Sequence, residues 1–427
     1  MRPIPHDTAF DSTLAWLADP YCFISKRCQR LGSDLFQARI LLRRTLCMSG
    51  PRAAELFYDS RRFARHGAAP EPVRAVLFGK GGVQDLDSAD HLHRKGMFVS
   101  LLAPQFVALL ANEVAEGWRR SAVDWQQGQR RVVLYDAVQR LLTQAACRWA
   151  GVPLPPDQVG LRSRQLSALF DEAGSLHHLH ARAARRHAEE WLTALVDDVR
   201  GGRFAAPAES ALAVIAAHRA LDGSLLAPRV AAVELLNLLR PTVAVAAFIV
   251  FAAHALHEHP QCLATVQRGG AREIERFVQE VRRFYPFFPA LVARSREEFE
   301  WQGYSFRQGQ RVLLDLYGTN HDSRCWEAPH EFRPERFVDG APGPFALVPQ
   351  GGGDAVHGHR CPGEGVALAL MAVSVDFLAR RLGYAVPPQD LRIDFARLPA
   401  LPRSRFVIRD VTPRPHSAWA SFAFTPS

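Results

Sequence analysis

The stretch LLNLLRPTVAVAAF, residues 235–248, sets Arg240 and Pro241 inside an otherwise apolar helical pattern. A buried guanidinium without a partner is heavily penalised. Proline inside a helix costs ~3 kcal/mol or more, because a hydrogen bond is lost and the ring clashes with the preceding turn. The pair implies an anion for Arg240 to meet; an internal glutamate, or a side chain that snorkels to solvent, is the plainer alternative. A second stretch, HGHRCPGEGVALALMAVSVDFLARRL, places Cys361 at the opening of an apolar-faced helix after a glycine-rich loop. His359 lies two residues before it and Gly363 two after. Helix N-terminal N–H groups stabilise a thiolate, so the position suits a soft anionic metal ligand; a helix-start cysteine without consequence is the alternative. In EVRR, Glu280 and Arg283 stand at i and i+3 on one helix face, where an ordinary ion pair forms, and EFRPERF, 331–337, offers Arg336 as a third member.

These residues need elements to position them. Apolar periodicity predicts helices near 88–102, 104–121, 132–151, 163–200, 228–258 and 271–284, and a final long helix after Cys361. Gly50-Pro51 opens a helix, proline being tolerated in the first turn. DLFQARILLRRTLCM (34–48) and FEWQGYSFRQGQRVLLDLYG (299–318) read as strands. The pattern is mainly α with a small β region (about 34–48 and 291–317). No repeat or low-complexity linker separates domains, so 1–427 reads as one unit.

Composition limits the function. The 427 residues are 48% hydrophobic and 22% charged, enough for a large core. Seven cysteines without a CxxC pair, and no signal peptide, point to a reducing cytoplasm rather than a disulfide framework. The longest strongly apolar run, Pro241 to Ala253, is shorter than a bilayer requires, so no transmembrane segment is expected. The net charge of +9 is spread over many arginines without lysine blocks, which argues against nucleic acid while still favouring acidic ligands. HHLHARAARRH, 177–187, has no standard metal spacing and reads as a solvated helix face. GxSxG, the phosphate loop GxxxxGK[ST] and a strand followed by GxGxxG are all missing, which removes hydrolase, nucleotidase and dinucleotide readings.

Taken in order, E-x-x-R, then P-E-R-F, then the cysteine loop resemble the cytochrome P450 family. DLDSADHLHRKGMF, RWAGVPLP, NLLRPTVAV, ALHEHP, FVQEVRRFYPF, LLDLYGTNHD, PQGGGDAVHGHRCPGEG and LPALPRSRFV are similar to its bacterial fatty-acid peroxygenase branch over nearly the whole chain. The resemblance implies a cytochrome P450 fold, with the haem loop and proximal helix at 349–382, and haem b ligated by Cys361, whose thiolate favours O–O cleavage. It implies Glu280, Arg283 and Arg336 as a structural ion-pair triad. Most of the family carries an acid and a threonine in the helix that crosses the haem, whereas here Arg240-Pro241 precedes the threonine and no acid stands beside it. In this branch such an arginine binds the substrate carboxylate, with Pro241 turning it toward the iron, and the bound carboxylate acts as general acid-base on hydrogen peroxide. The implied reaction is alpha or beta hydroxylation of a long-chain fatty acid, without flavin, NADPH or an obligatory redox partner. Gln84 occupies the spot where decarboxylating relatives often carry histidine, which favours hydroxylation over terminal-alkene formation. Phe78, Phe287 and Val292 are implied to line the hydrocarbon channel, with core packing as the alternative for the two phenylalanines; His91, Lys95, Arg65 and Tyr285 are implied to meet the haem propionates, with a solvated basic face as the alternative, and His359 to bind the cofactor from the cysteine loop. Asp354, where typical monooxygenases carry phenylalanine, and His357, where they carry glycine, fit the longer QGGG loop of the branch. The rival classes are a decarboxylase, a monooxygenase served by redox partners, and a haem-binding sensor or carrier without turnover.

Overall fold

The computed structural model describes residues 2–128, 131–172 and 178–415. Its centre is the helix Pro228–Glu258, in which nearly every residue from Ala231 to Leu256 is buried. Helices Leu134–Ala150, His178–Arg200 and Glu364–Asp376 pack around it. The run is long and apolar enough to span a membrane, but 94% of its most apolar window is inside the protein, which identifies it as a core helix. Pro241 sits within it without breaking it, because packing on all sides holds the backbone where an isolated helix would part.

Local chemistry sets the ends of the neighbouring helices. Ala271–Phe284 begins where the Glu273 carboxylate accepts the Gly270 N–H at 2.6 Å. It stops at Tyr285, whose backbone is forced extended by the following Pro286. Leu134–Ala150 starts later than its periodicity suggests, since Arg131–Val133 is taken by pairing with Val407–Arg409. The helix predicted at 104–121 runs on to Gly128. The pattern at 163–200 is not one helix but two, Val159–Asp171 and His178–Arg200; Glu172 leaves helical geometry at the first end, a turn that apolar spacing alone does not mark. Short helices Ala211–Ala217 and Pro260–Arg268 add to the predicted set.

The main sheet has five strands in the order Leu35–Ile40, Arg43–Met48, Arg311–Asp315, Ala290–Ser295 and Phe63–Ala64. Arg43–Met48 pairs parallel with Arg311–Asp315 and the other neighbours are antiparallel. Its buried face carries a second core around Leu46, Phe57, Phe63, Val312 and Leu314. The loop that leads into Glu364–Asp376 ends with Cys361, three residues before the helix begins.

Candidate functional site

Cys361 is fixed by its own loop. Its N–H donates to the Gln350 carbonyl at 3.1 Å, and the Gln350 side chain accepts from Arg282 at 2.9 Å. Arg282 also pairs with Glu364, which accepts from Arg360 at 2.6 Å, so two arginines and one carboxylate clamp both sides of the cysteine. Gly351 has φ +96°, and a Cβ there would lie 2.4 Å from the Tyr58 hydroxyl, so only glycine fits. Burial raises the Cys361 pKa, while the Gly363 N–H and the charges of Lys95 and Arg240 favour the thiolate.

A basic cluster adjoins this loop. Arg65 lies over the Phe57 ring at 4.0 Å and donates to the Phe57 carbonyl at 3.2 Å; burial lowers its pKa to about 10. The His91 and His359 rings stack 4.1 Å apart, and His359 Nε2 is 3.5 Å from Asp87. Burial, reinforced by His359 and Lys95, pushes His91 down to about 3. Burial opposes ionisation of Asp87, but hydrogen bonds from His359 and from the His66 and Arg65 N–H groups hold its carboxylate well below the usual range. Arg65 Nη1 and the Tyr58 hydroxyl are buried without partners in this cluster. Two orphaned donors suited to carboxylates, beside a cysteine whose cationic surroundings favour a thiolate ligand for iron, fit the chemistry of a haem.

Two of the residues expected at the propionates have protein partners of their own. Tyr285 stacks on Phe251 at 4.8 Å, and its hydroxyl meets His254 Nδ1 at 2.8 Å in an aromatic core that includes Phe332. Lys95, with burial lowering its pKa to about 8, donates to the Arg360 carbonyl at 2.9 Å and to the Gly358 carbonyl. It therefore ties the cysteine loop to the helix Ser88–Leu101.

Arg240 is different from every other buried arginine. Six arginines are buried among the described residues. Arg94 pairs with Glu234 at 2.7 Å, Arg185 with Glu189 at 2.6 Å, Arg282 with Glu364 and Arg283 with Glu280 at 2.7 Å, while Arg311 donates to Thr45 at 2.8 Å. Arg240, 8% exposed, has no hydrogen-bond or ion-pair partner among the described residues, and its Nε is fully enclosed. Burial, with Arg185 nearby, pushes its pKa down to about 9, and Cys361 pulls the other way. Asn237, one turn earlier on the same face, donates to Glu234 at 3.0 Å and leaves its Oδ1 orphaned; Gln84 Oε1 is orphaned too. Both side chains crowd Gly82, where a Cβ would lie 2.9 Å from Asn237 Nδ2 and 3.2 Å from Gln84 Oε1. The Thr242 hydroxyl donates back to the Leu238 carbonyl at 2.8 Å.

Phe78 and Phe287 approach the central helix system from opposite ends of the chain. The Phe287 ring stacks on Phe248 at 4.1 Å, two turns beyond Arg240. The Phe78 carbonyl accepts from Arg185 at 3.3 Å, which ties the Arg74–Phe78 turn to helix His178–Arg200. Val292 is half-buried on the strand Ala290–Ser295, paired with Leu313. Glu280 accepts from Arg283 at 2.7 and 2.8 Å, from Arg336 at 3.2 Å and from the Arg333 N–H at 2.8 Å, with the carboxylate fully buried. In the histidine-rich stretch, His180 and His187 are exposed, whereas His177 lies outside the described residues.

Sequence reasoning missed Tyr58, Asp87, Asn237 and the Arg282–Glu364–Arg360 clamp. Asn237 carries a usable signal, its i−3 spacing from Arg240. Glu364 stands at i+3 from Cys361 and i+4 from Arg360. Tyr58 and Asp87 carry none, because the fold alone brings their loops to the cysteine.

A family model described as cytochrome P450 matches residues 274–399. Trimethyltridecatetraene synthase of Zea mays is 32% identical over 135 residues, 28% of this chain and 24% of that protein. Cytochrome P450 71D2 of Catharanthus roseus is 32% identical over 133 residues, 30% of this chain and 25% of that protein. The match thus spans about a quarter of these curated relatives' length. Solved structures match far more fully. Cytochrome P450SP alpha in complex with (R)-ibuprophen superposes with a TM-score of 0.92 at 50% identity, covering 94% of this chain and 98% of that one. Cytochrome P450EX alpha with myristic acid gives 0.93 at 41% identity, covering 97% and 100%. A cytochrome P450 OleT variant in complex with arachidonic acid gives 0.93 at 30% identity, covering 98% and 100%. With the Cys361 loop, the Glu280 triad and Arg240 already in place, these likenesses settle the family: the chain belongs to the cytochrome P450 haem-thiolate oxidoreductases, in the fatty-acid peroxygenase branch.

Proposed function

We propose that this chain hydroxylates long-chain fatty acids at the alpha or beta carbon with hydrogen peroxide, the substrate carboxylate being held by Arg240 as the general acid-base. The observation that carries this reading is the solitary charge of Arg240 where, among the described residues, every other buried arginine is engaged. A carboxylate entering from outside satisfies it bidentately in a dry site, where such a pair is strong. Haem b, held through Cys361 with Arg65, Tyr58, His91 and His359 toward its propionates, would supply O–O cleavage and oxygen insertion into a C–H bond.

Arg240 then fixes a carboxylate oxygen where it can take a proton from hydrogen peroxide and hand it to the departing oxygen, which leaves as water. The anchoring presents the alpha and beta carbons first, and Phe78, Phe287 and Val292 line the path of the chain beyond them. Thr242 commits its proton to the Leu238 carbonyl, and no acid accompanies it, which speaks against proton delivery of the monooxygenase kind and against a need for NADPH, flavin or a redox partner. Gln84 bears no titratable proton, which favours hydroxylation over loss of the carboxylate. The test is mass-spectrometric product analysis with purified haem protein, a saturated long-chain fatty acid and hydrogen peroxide alone, beside Arg240→Ala. Hydroxy acids from the wild type and almost none from the variant support the reading; no product from wild type with intact thiolate-ligated haem overturns it.

A further inference from the structure

The first hairpin carries a surface that the peroxygenase chemistry does not use. Leu41 and Leu42 form the two-residue turn between Leu35–Ile40 and Arg43–Met48, at φ +51° and +57°. A hairpin turn with both residues in the left-handed region normally takes asparagine and glycine, because side chains branched beyond Cβ are strained there. Leu41 is 50% exposed and Leu42 71%, so burial does not compensate for the strain. The turn is nevertheless held firmly. Its N–H groups donate to Thr13 Oγ1 at 2.6 Å and to Asp11 Oδ2 at 2.8 Å, which brings the segment containing Phe10 and Leu14, 79% and 81% exposed, to its side. The Arg39 guanidinium covers the Phe10 ring at 4.8 Å.

Positive charge flanks this apolar tip on the strand side, the Asp11 carboxylate that holds the turn being the acid at the tip itself. Arg43 and Arg44 leave the turn directly and, with Arg2, Arg294, Arg307 and Arg311, line one open groove in which Glu298 is the only carboxylate. None of these six arginines, nor Arg39, forms an ion pair among the described residues. Elsewhere on the surface arginines pair freely with acids, as Arg61 with Asp59 and Arg392 with Asp390. The strained leucines gain nothing from water and these arginines, although Arg311 donates to Thr45 and Arg39 covers Phe10, have no carboxylate partner among the described residues; both needs are met together where acyl chains lie beneath phosphates.

We propose that the Phe10, Leu14, Leu41 and Leu42 tip with its arginine groove docks the protein on an anionic bilayer surface, the leucines entering the acyl boundary and the arginines meeting lipid phosphates. Apolar side chains at the centre of the charge distinguish this partner from a soluble polyanion, which would contact the groove and leave the tip in water. The placement suits an enzyme whose substrate partitions into membranes, although the docking itself does not rest on the peroxygenase reading.

The test is co-sedimentation of the haem-loaded full chain with vesicles of phosphatidylcholine, alone or mixed with phosphatidylglycerol. Two double variants accompany the wild type, Leu41→Asn with Leu42→Gly, the pair this turn geometry prefers, and Arg43→Ser with Arg44→Ser. Wild type should bind the anionic vesicles far better than the neutral ones, and the arginine variant should lose about 25-fold in partitioning, about fivefold per charge. The leucine variant should lose about tenfold while remaining at least as stable as wild type. Wild type remaining in the supernatant with anionic vesicles overturns the proposal. So does a leucine variant that binds as tightly as wild type, since charge alone then explains the binding. Sedimentation is read without turnover, so failure here is distinguishable from failure of the peroxygenase reading.

Discussion

A guanidinium enclosed without a partner lowers stability until an anion reaches it, which makes Arg240 testable without catalysis. Replacing even a paired buried charge, with its partner, by hydrophobic residues of similar volume is often neutral or stabilising by about 1–4 kcal/mol, so removing an unpaired one should make substrate-free Arg240→Leu unfold at a higher temperature than wild type. A fatty acid at about 100 times its Kd should stabilise wild type by about 2.7 kcal/mol and the variant by almost nothing. Thermal unfolding of the haem-loaded proteins, with and without ligand, reads both effects. Gln84 makes a second prediction at this scale. Its buried, unpartnered Oε1 adjoins Asn237 and Arg240's helix face, and Gln84→His should raise the terminal-alkene fraction among products, read by gas chromatography. Arg240 and Cys361 were legible in the sequence because each is chemically out of place, a cation in an apolar helix and a thiol at a helix start. Tyr285 was less so, because a tyrosine before proline fits a core as well as a cofactor edge, and in the structure its hydroxyl meets His254.

At the scale of elements, the helix Ala271–Phe284 is joined to the loop at 327–337 by one buried carboxylate. Glu280 neutralises Arg283 and Arg336 and caps the Arg333 N–H, so Glu280→Gln leaves buried cations uncompensated and should cost about 3–5 kcal/mol in chemical denaturation. The same region contains an acid-sensitive group. His321 is buried among Phe284, Tyr317, His330, Arg283 and Arg336, with Nδ1 on the Tyr317 carbonyl at 2.9 Å and Nε2 orphaned. Burial, then Arg283, pushes its pKa to about 3. Its folded pKa lies below the unfolded value near 6.5, so its contribution is complete above that pH and is lost as pH falls toward 3, by about 1.4 kcal/mol per unit. His321→Gln should therefore flatten the acid side of the stability profile, and an unchanged slope would contradict the assignment. Helix positions were readable from periodicity where one face is apolar throughout. The division of 163–200 was not, since the departure of Glu172 from helical geometry leaves no mark in the apolar spacing.

For the whole molecule, the order of motifs revealed the family, while the sites formed by long-range closure did not appear in the sequence. Asp87 meets His359 and Tyr58 meets the cysteine loop across hundreds of residues, and no local spacing announces such pairs. The central claim concerns what the assembled protein requires from its substrate, a free carboxylate that both fills the Arg240 site and moves the proton. The most direct measurement compares hydrogen-peroxide-driven turnover of a long-chain fatty acid with that of its methyl ester at equal chain length, in the purified haem protein without reductase. The acid should give alpha- or beta-hydroxylated product that disappears when catalase is added, and the ester should give essentially none. Equal turnover of acid and ester would contradict the account, because the proton would then come from a group of the protein and Arg240 would have some other use.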